Sequence, residues 1–158
     1  YKNRRIPISK IDKCEELLEI ARREKIRIDY FPLHDTESLV IEYQPARYSI
    51  AIDPAKITSA ADQKVKLAHE LGHCMTKAIY SRLTPLETRE RCEHKANAWA
   101  IKQLIPWTEL YLAFEDGIVD ARELAEYFNV TLCFMELALD YYITRKGYLH
   151  NARKLSAE

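Results

Sequence analysis

The hydrophobic period changes twice along this chain, near Ile26 and again near Asp62, and that pattern limits the fold more than any other feature. Ile26, Ile28 and Tyr30 alternate with charged residues, and Leu39 to Tyr43 and Tyr48 to Ile52 read as two further strands, joined by a turn through Gln44, Pro45 and Ala46. Such alternation marks a half-buried strand, whose successive side chains point to opposite faces. From Asp62 onward the apolar residues recur at three- and four-residue steps, as on a helix face. Strands grouped in one stretch, preceded by one helix and followed by a run of helices, predict an α+β fold. Its N-terminal part is a small sheet of about three strands, antiparallel or mixed.

Helix signals divide the rest. Residues 9–25 predict a leading amphipathic helix with Ser9 as N-cap, and residues 62–77 a second helix. Thr84-Pro85-Leu86-Glu87 carries cap-like chemistry for a third, which runs to Leu104 before Pro106 ends it. A short helix follows from Trp107 to Glu115, closed by Asp116-Gly117. Asp120 caps another to Phe128, and Thr131 caps a last one to about Thr144. The implied organisation is a catalytic-type domain over 1–106, a helical region over 107–145 packed on it, and a polar tail over 146–158.

Charge and thiols exclude several classes. Lys plus Arg and Asp plus Glu number 24 each, whereas phosphate-binding proteins carry a basic surplus. The local clusters Lys2, Arg4, Arg5 and Arg22, Arg23, Lys25 read as solvated faces. No apolar run approaches the ~20 residues of a membrane-crossing helix. No basic-then-apolar leader opens the chain, although it starts at Tyr1 rather than Met, which leaves a lost leader open. Cys14, Cys74, Cys92 and Cys133 are scattered without a Cys-x-x-Cys pair, a pattern that suits reduced thiols and a cytoplasmic location.

The chemistry concentrates at His69-Glu70-Leu71-Gly72-His73. At about 3.6 residues per turn, residues four apart share a helix face, so His69 and His73 can present two imidazoles to one cation. Glu70 lies about 100° around the helix, placed to serve as a base without being a ligand. Zinc lowers the pKa of water in an open coordination position to about 7, within reach of such a carboxylate. Leu67, Ala68, Leu71 and Met75 make the helix substantially buried, and polar groups there are costly unless paired or ligated. Gly72 permits close approach of another backbone or of substrate.

A catalytic zinc needs a third protein ligand. The metzincin continuation would need Gly and His where Thr76 and Ile79 stand. The next helix offers Glu87, Glu90, Glu93 and His94. Glu93 is the best placed, with Glu90 and His94 as alternatives. Asn97, one turn beyond Glu93, could support a histidine through its amide, and Ala96 and Ala100 keep that face slim.

Lys66-Leu-Ala-His-Glu-Leu-Gly-His-Cys74, then Glu93-His-Lys-Ala-Asn-Ala-Trp-Ala100 and Lys102-Gln-Leu-Ile-Pro106, together resemble the ImmA/IrrE family of metallopeptidases, and most of all the ImmA-like proteins of mobile elements and phages. The resemblance is firm over residues 60–106. Trp99 stands where Phe is commoner, and His94 adds a second donor type beside Glu93. The resemblance implies a gluzincin-like zinc (Zn2+) endopeptidase with His69, His73 and Glu93 as metal ligands and Glu70 as general base. It also implies a helix-turn-helix transcriptional repressor as substrate, cut to release a phage, mobile-element or stress response. The alternative is a non-catalytic, zinc-stabilised regulatory module that acts by protein contact. Glu70 speaks against it, since a purely structural site needs no base.

The remaining candidates carry blander expectations. Cys74 and Cys92 neighbour proposed ligands, but helical geometry turns them away. His34 and His150 read as surface groups. Tyr48 and Tyr80 could each stabilise an oxyanion, and the sequence does not choose between them. Residues 121–140 look like a helix-turn-helix whose second helix offers Leu132, Cys133, Phe134, Met135, Glu136 and Asp140. That apolar and acidic set predicts packing or protein docking and not DNA reading.

Overall fold

The computed structural model describes residues 13–145. The expected Ser9 cap, the Lys2, Arg4, Arg5 cluster, His150 and the 146–158 tail lie outside them. The chain divides after Leu104 into two compact units.

The first unit is α+β. Helix α1 (Lys13–Arg23) buries Leu17 and Ala21, and the chain turns away just beyond it at Lys25, which adopts a left-handed conformation at φ 58°. Strands β1 (Arg27–Tyr30), β2 (Ser38–Gln44) and β3 (Arg47–Ile52) follow, in sheet order β1-β3-β2. The β2–β3 pair is antiparallel and β1–β3 parallel, so the sheet is mixed. Ile50, Ala51 and Ile52 on the central strand are all buried.

Register decides which sheet face meets the helices. Ser38 and Tyr30 both lie opposite Ile52, so the three side chains share one face. Helix α2 (Ala60–Thr76) covers that face, with Gln63 Nε2 donating to the Tyr30 hydroxyl at 3.0 Å and Ser38 reaching Glu70. The helix starts two residues before the expected position because Ser59 is its N-cap, accepting from the Asp62 amide at 3.1 Å. Helix α3 (Leu86–Leu104) packs against α2. Thr84 does not cap α3 as its sequence suggests. Its hydroxyl accepts from the Ser81 amide and so closes the preceding turn.

The second unit holds α4 (Trp107–Glu115), α5 (Ala121–Phe128) and α6 (Leu132–Asp140). Asp120 and Thr131 accept from first-turn amides, as expected of caps, and Asn129 ends α5 in a left-handed conformation at φ 51°. The last helix stops short of Thr144: it widens into a π turn over Tyr141–Arg145. There Tyr142 is buried, donating to the Ile105 carbonyl at 2.7 Å with its ring 5.5 Å from that of Trp107. On α6 the exposed residues are Cys133, Glu136, Leu137 and Asp140, none of them basic.

None of the four cysteines forms a disulfide. Among the described residues, no helix is long and apolar enough to cross a membrane.

Candidate metal centre

Four-residue spacing on α2 puts His69 and His73 side by side, with ring centroids 4.7 Å apart and planes at 87°. The end of the helix then orients His73. Lys77 adopts a left-handed conformation (φ 53°), and the Ala78 amide turns back to the His73 carbonyl at 3.0 Å. The same turn places the Ala78 carbonyl oxygen 2.7 Å from His73 Nδ1. A carbonyl only accepts, so Nδ1 carries a proton, and in the neutral ring this leaves Nε2 its lone pair. His69 is oriented likewise, with Nδ1 2.8 Å from Asn97 Oδ1, the support expected from the amide on α3.

Glu93 arrives because α2 and α3 cross very closely. A Cβ on Gly72 would lie 2.5 Å from the Ala96 carbonyl oxygen and 2.9 Å from its Cα, so only glycine fits. The close approach that Gly72 permits is therefore to another backbone. One turn before Ala96, Glu93 lies over both imidazoles, with Oε2 3.2 Å from His69 Nε2 and Oε1 3.2 Å from His73 Nε2. Among the described residues, His69, His73 and Glu93 are the group of three such side chains whose ligand atoms converge, all within 4.8 Å of one another. Glu87, Glu90 and His94 are exposed and take no part.

The donor set fits a divalent ion. The two Nε2 atoms lie 3.1 Å apart, each facing Glu93, while both Nδ1 atoms are committed to oxygen acceptors. Lone pairs and a carboxylate aimed at one another repel unless they share a cation. A tetrahedral zinc with bonds of about 2.0–2.2 Å needs ligand separations of about 3.3–3.6 Å, close to those present. Without an ion, hydrogen bonds from His69 and then His73 hold the Glu93 carboxyl far below the usual carboxylate range. Burial opposes the charged form of His69, but its bond with Glu93 and the charges of Glu70 and Glu93 outweigh it and raise the imidazole's pKa.

Glu70 is buried beside this cluster, 6% exposed, with Oε1 accepting from the Ser38 hydroxyl at 2.6 Å. Tyr80 donates to Glu93 Oε1 at 2.7 Å and stands edge-on to His73 at 5.8 Å. Burial and that bond push its phenol up to about 12. The structure thus separates the two tyrosines: Tyr80 touches the centre, whereas Tyr48 lies on β3. Cys74 is buried, and its thiol is pushed up to about 12 by burial and then by the Glu70 charge. Neither Cys74 nor Cys92 joins the converging group. His34 is exposed.

Sequence reasoning passed over Ser38 and the Ala78 carbonyl. A buried carboxylate must find a donor, which signals that a partner exists. Which residue supplies it depends on strand β2 folding back across 32 positions.

With this geometry in hand, comparison with known proteins gives the class. Residues 21–140 match the Peptidase M78 family, described as the IrrE N-terminal-like domain. The match spans the sheet and both helices of the centre, and the chain belongs to this ImmA/IrrE family, whose function is of the metallopeptidase type. No curated protein matches the chain in sequence.

Proposed function

We propose that this protein is a zinc-dependent endopeptidase that cuts a helix-turn-helix transcriptional repressor in the cytoplasm, thereby releasing genes of a phage, mobile element or stress response. His69, His73 and Glu93 hold the ion in this reading, and Glu70 is the general base. The observation that carries it is the convergence of three ligand atoms within 4.8 Å beside a buried, separately held carboxylate.

Bound zinc would supply Lewis acidity, polarising a peptide carbonyl and lowering the pKa of a water to about 7. The protein's own groups do the rest. Asn97 and Ala78 fix the imidazole tautomers, and Tyr80 steadies Glu93 through Oε1. Glu70 takes a proton from water as its oxygen attacks the scissile carbonyl carbon, then returns that proton to the amine nitrogen as the C–N bond breaks. A non-catalytic zinc module would have no use for that carboxylate. The repressor as substrate follows from the likeness to ImmA-like proteins. The cysteines, none in a disulfide, and the uncharged balance of the chain agree with a cytoplasmic protein that meets another protein and not DNA.

The test uses purified protein and a Glu70→Gln variant, each assayed for zinc content and incubated with the repressor encoded beside the gene. Both should carry zinc, and only the unaltered protein should cut, at one site. Cutting by both, or by neither, removes the role assigned to Glu70.

A further inference from the structure

We infer that Ser38 is a positioning residue that clamps the Glu70 carboxylate through one oxygen and leaves the other to take the proton, an inference that rests on the reading of Glu70 as base. Among the described residues, Ser38 is the side chain that donates a hydrogen bond to Glu70. At 2.6 Å to Oε1, the bond lies at the short end of the O–H···O range. A glutamate side chain has three rotatable bonds, and without an anchor its carboxylate is free to leave the reactive geometry. With Oε1 occupied by Ser38, Oε2 is the free acceptor.

The anchor is itself fixed on both sides. Ser38 opens β2 opposite fully buried Ile52. Its carbonyl accepts from the Thr36 hydroxyl at 2.8 Å, and the next carbonyl back, that of Glu37, accepts from the Asp53 amide at 2.9 Å. Asp53 also takes the Leu33 amide at 2.9 Å, while the Lys56 ammonium donates to the carbonyls of Leu33 at 2.7 Å and Thr36 at 2.9 Å. The loop leading into Ser38 is therefore stapled to the segment that follows β3. This extended network would be an extravagant way to satisfy one half-buried hydroxyl. It has a clear use if the position of a catalytic carboxylate depends on it, because misplacement by about 1 Å can cost about 100-fold in rate.

The experiment compares zinc-loaded Ser38→Ala, Ser38→Thr and Glu70→Gln with the unaltered protein, by crystal structure and by steady-state cleavage of the co-encoded repressor. In Ser38→Ala the zinc content should hold, but the Glu70 carboxylate should spread over more than one position. Its kcat should fall about 10- to 100-fold while KM moves by less than about twofold. Ser38→Thr, which keeps the hydroxyl on a strand that favours β-branched residues, should restore both. A Glu70 carboxylate that stays in place in Ser38→Ala crystals, an unchanged kcat, or failure of the threonine to restore it overturns the inference. If the unaltered protein cuts no repressor, the functional reading falls, and the crystal structures still decide whether Ser38 holds Glu70.

Discussion

Two helix pairs in this molecule solve the same packing problem in opposite ways. The α5–α6 pair buries Leu124, Ala125, Phe128, Phe134, Met135 and Ala138, and its polar groups work only at the ends, where Asp120 and Thr131 cap and Asn129 turns the chain. The α2–α3 pair instead buries Glu70 and His73 within the second half of α2, and brings its helices together at a glycine. Burying polar groups costs free energy unless each finds a partner, and Ala78, Asn97, Ser38 and Tyr80 supply those partners here. A pair built for stability has no reason to assemble such a set. The difference marks α2–α3 as the pair built around a polar centre and not around an apolar seam.

The contrast can be broken most sharply in the apolar pair. Leu124 is fully buried, and Leu124→Ala should lower stability by about 2–5 kcal/mol through lost burial and the cavity left behind. Urea unfolding measures this, and the zinc content of the folded protein should not change. A loss of zinc in step with stability would erase the division of labour between the pairs.

Next in size is the helix crossing. Gly72→Ala sets a methyl against the Ala96 backbone, which cannot yield as a flexible side chain would. We expect a loss of about 1–3 kcal/mol, together with weaker zinc binding, because Glu93 is carried away from the histidines. Unchanged zinc affinity measured by competition with a chelator would show that the close crossing does not place Glu93.

The smallest effect is a pH signature of the metal-free centre. The Glu93 carboxyl is lowered by folding, so its contribution is present above the unfolded value of about 4.3 and fades as pH falls toward the folded one. The His69 imidazole is raised, so its contribution is present below about 6.5 and is lost as pH rises through its higher folded value. Metal-free protein should accordingly gain stability between these limits, by about 1 kcal/mol for half-buried groups whose attraction solvent screens in part. Thermal melts across pH should show the rise, and Glu93→Gln should flatten it. A rise that survives the substitution belongs to other groups.

Much of this was legible in the residues because it is local. The bounds of α4 and α5 follow from Pro106, Asp120 and Asn129, each acting within a turn of its own position. The pairing of His69 with His73 is helix geometry alone. Glu93 was distinguishable from Glu87, Glu90 and His94 only by its spacing from Asn97 and the alanines and by likeness to a family. The structure brings it to the histidines because of a contact between Gly72 and Ala96, 24 residues apart. Tyr80 and Tyr48 could not be told apart, since both are tyrosines with no periodic pattern to place them. Ser38 carried no signal at all.

By itself, then, the sequence determined the order of strands and helices, the caps that bound the later helices, and the single face that carries two imidazoles, since these depend on dihedral preferences and side-chain periods over a few residues. Tertiary structure alone decided that β1 runs parallel to β3, that α3 lies close enough for Glu93 to reach the centre, and that Ser38 meets Glu70. Those outcomes depend on which buried surfaces find each other across tens of residues. Short-range spacing cannot encode such a choice; it is settled when the whole chain packs at once.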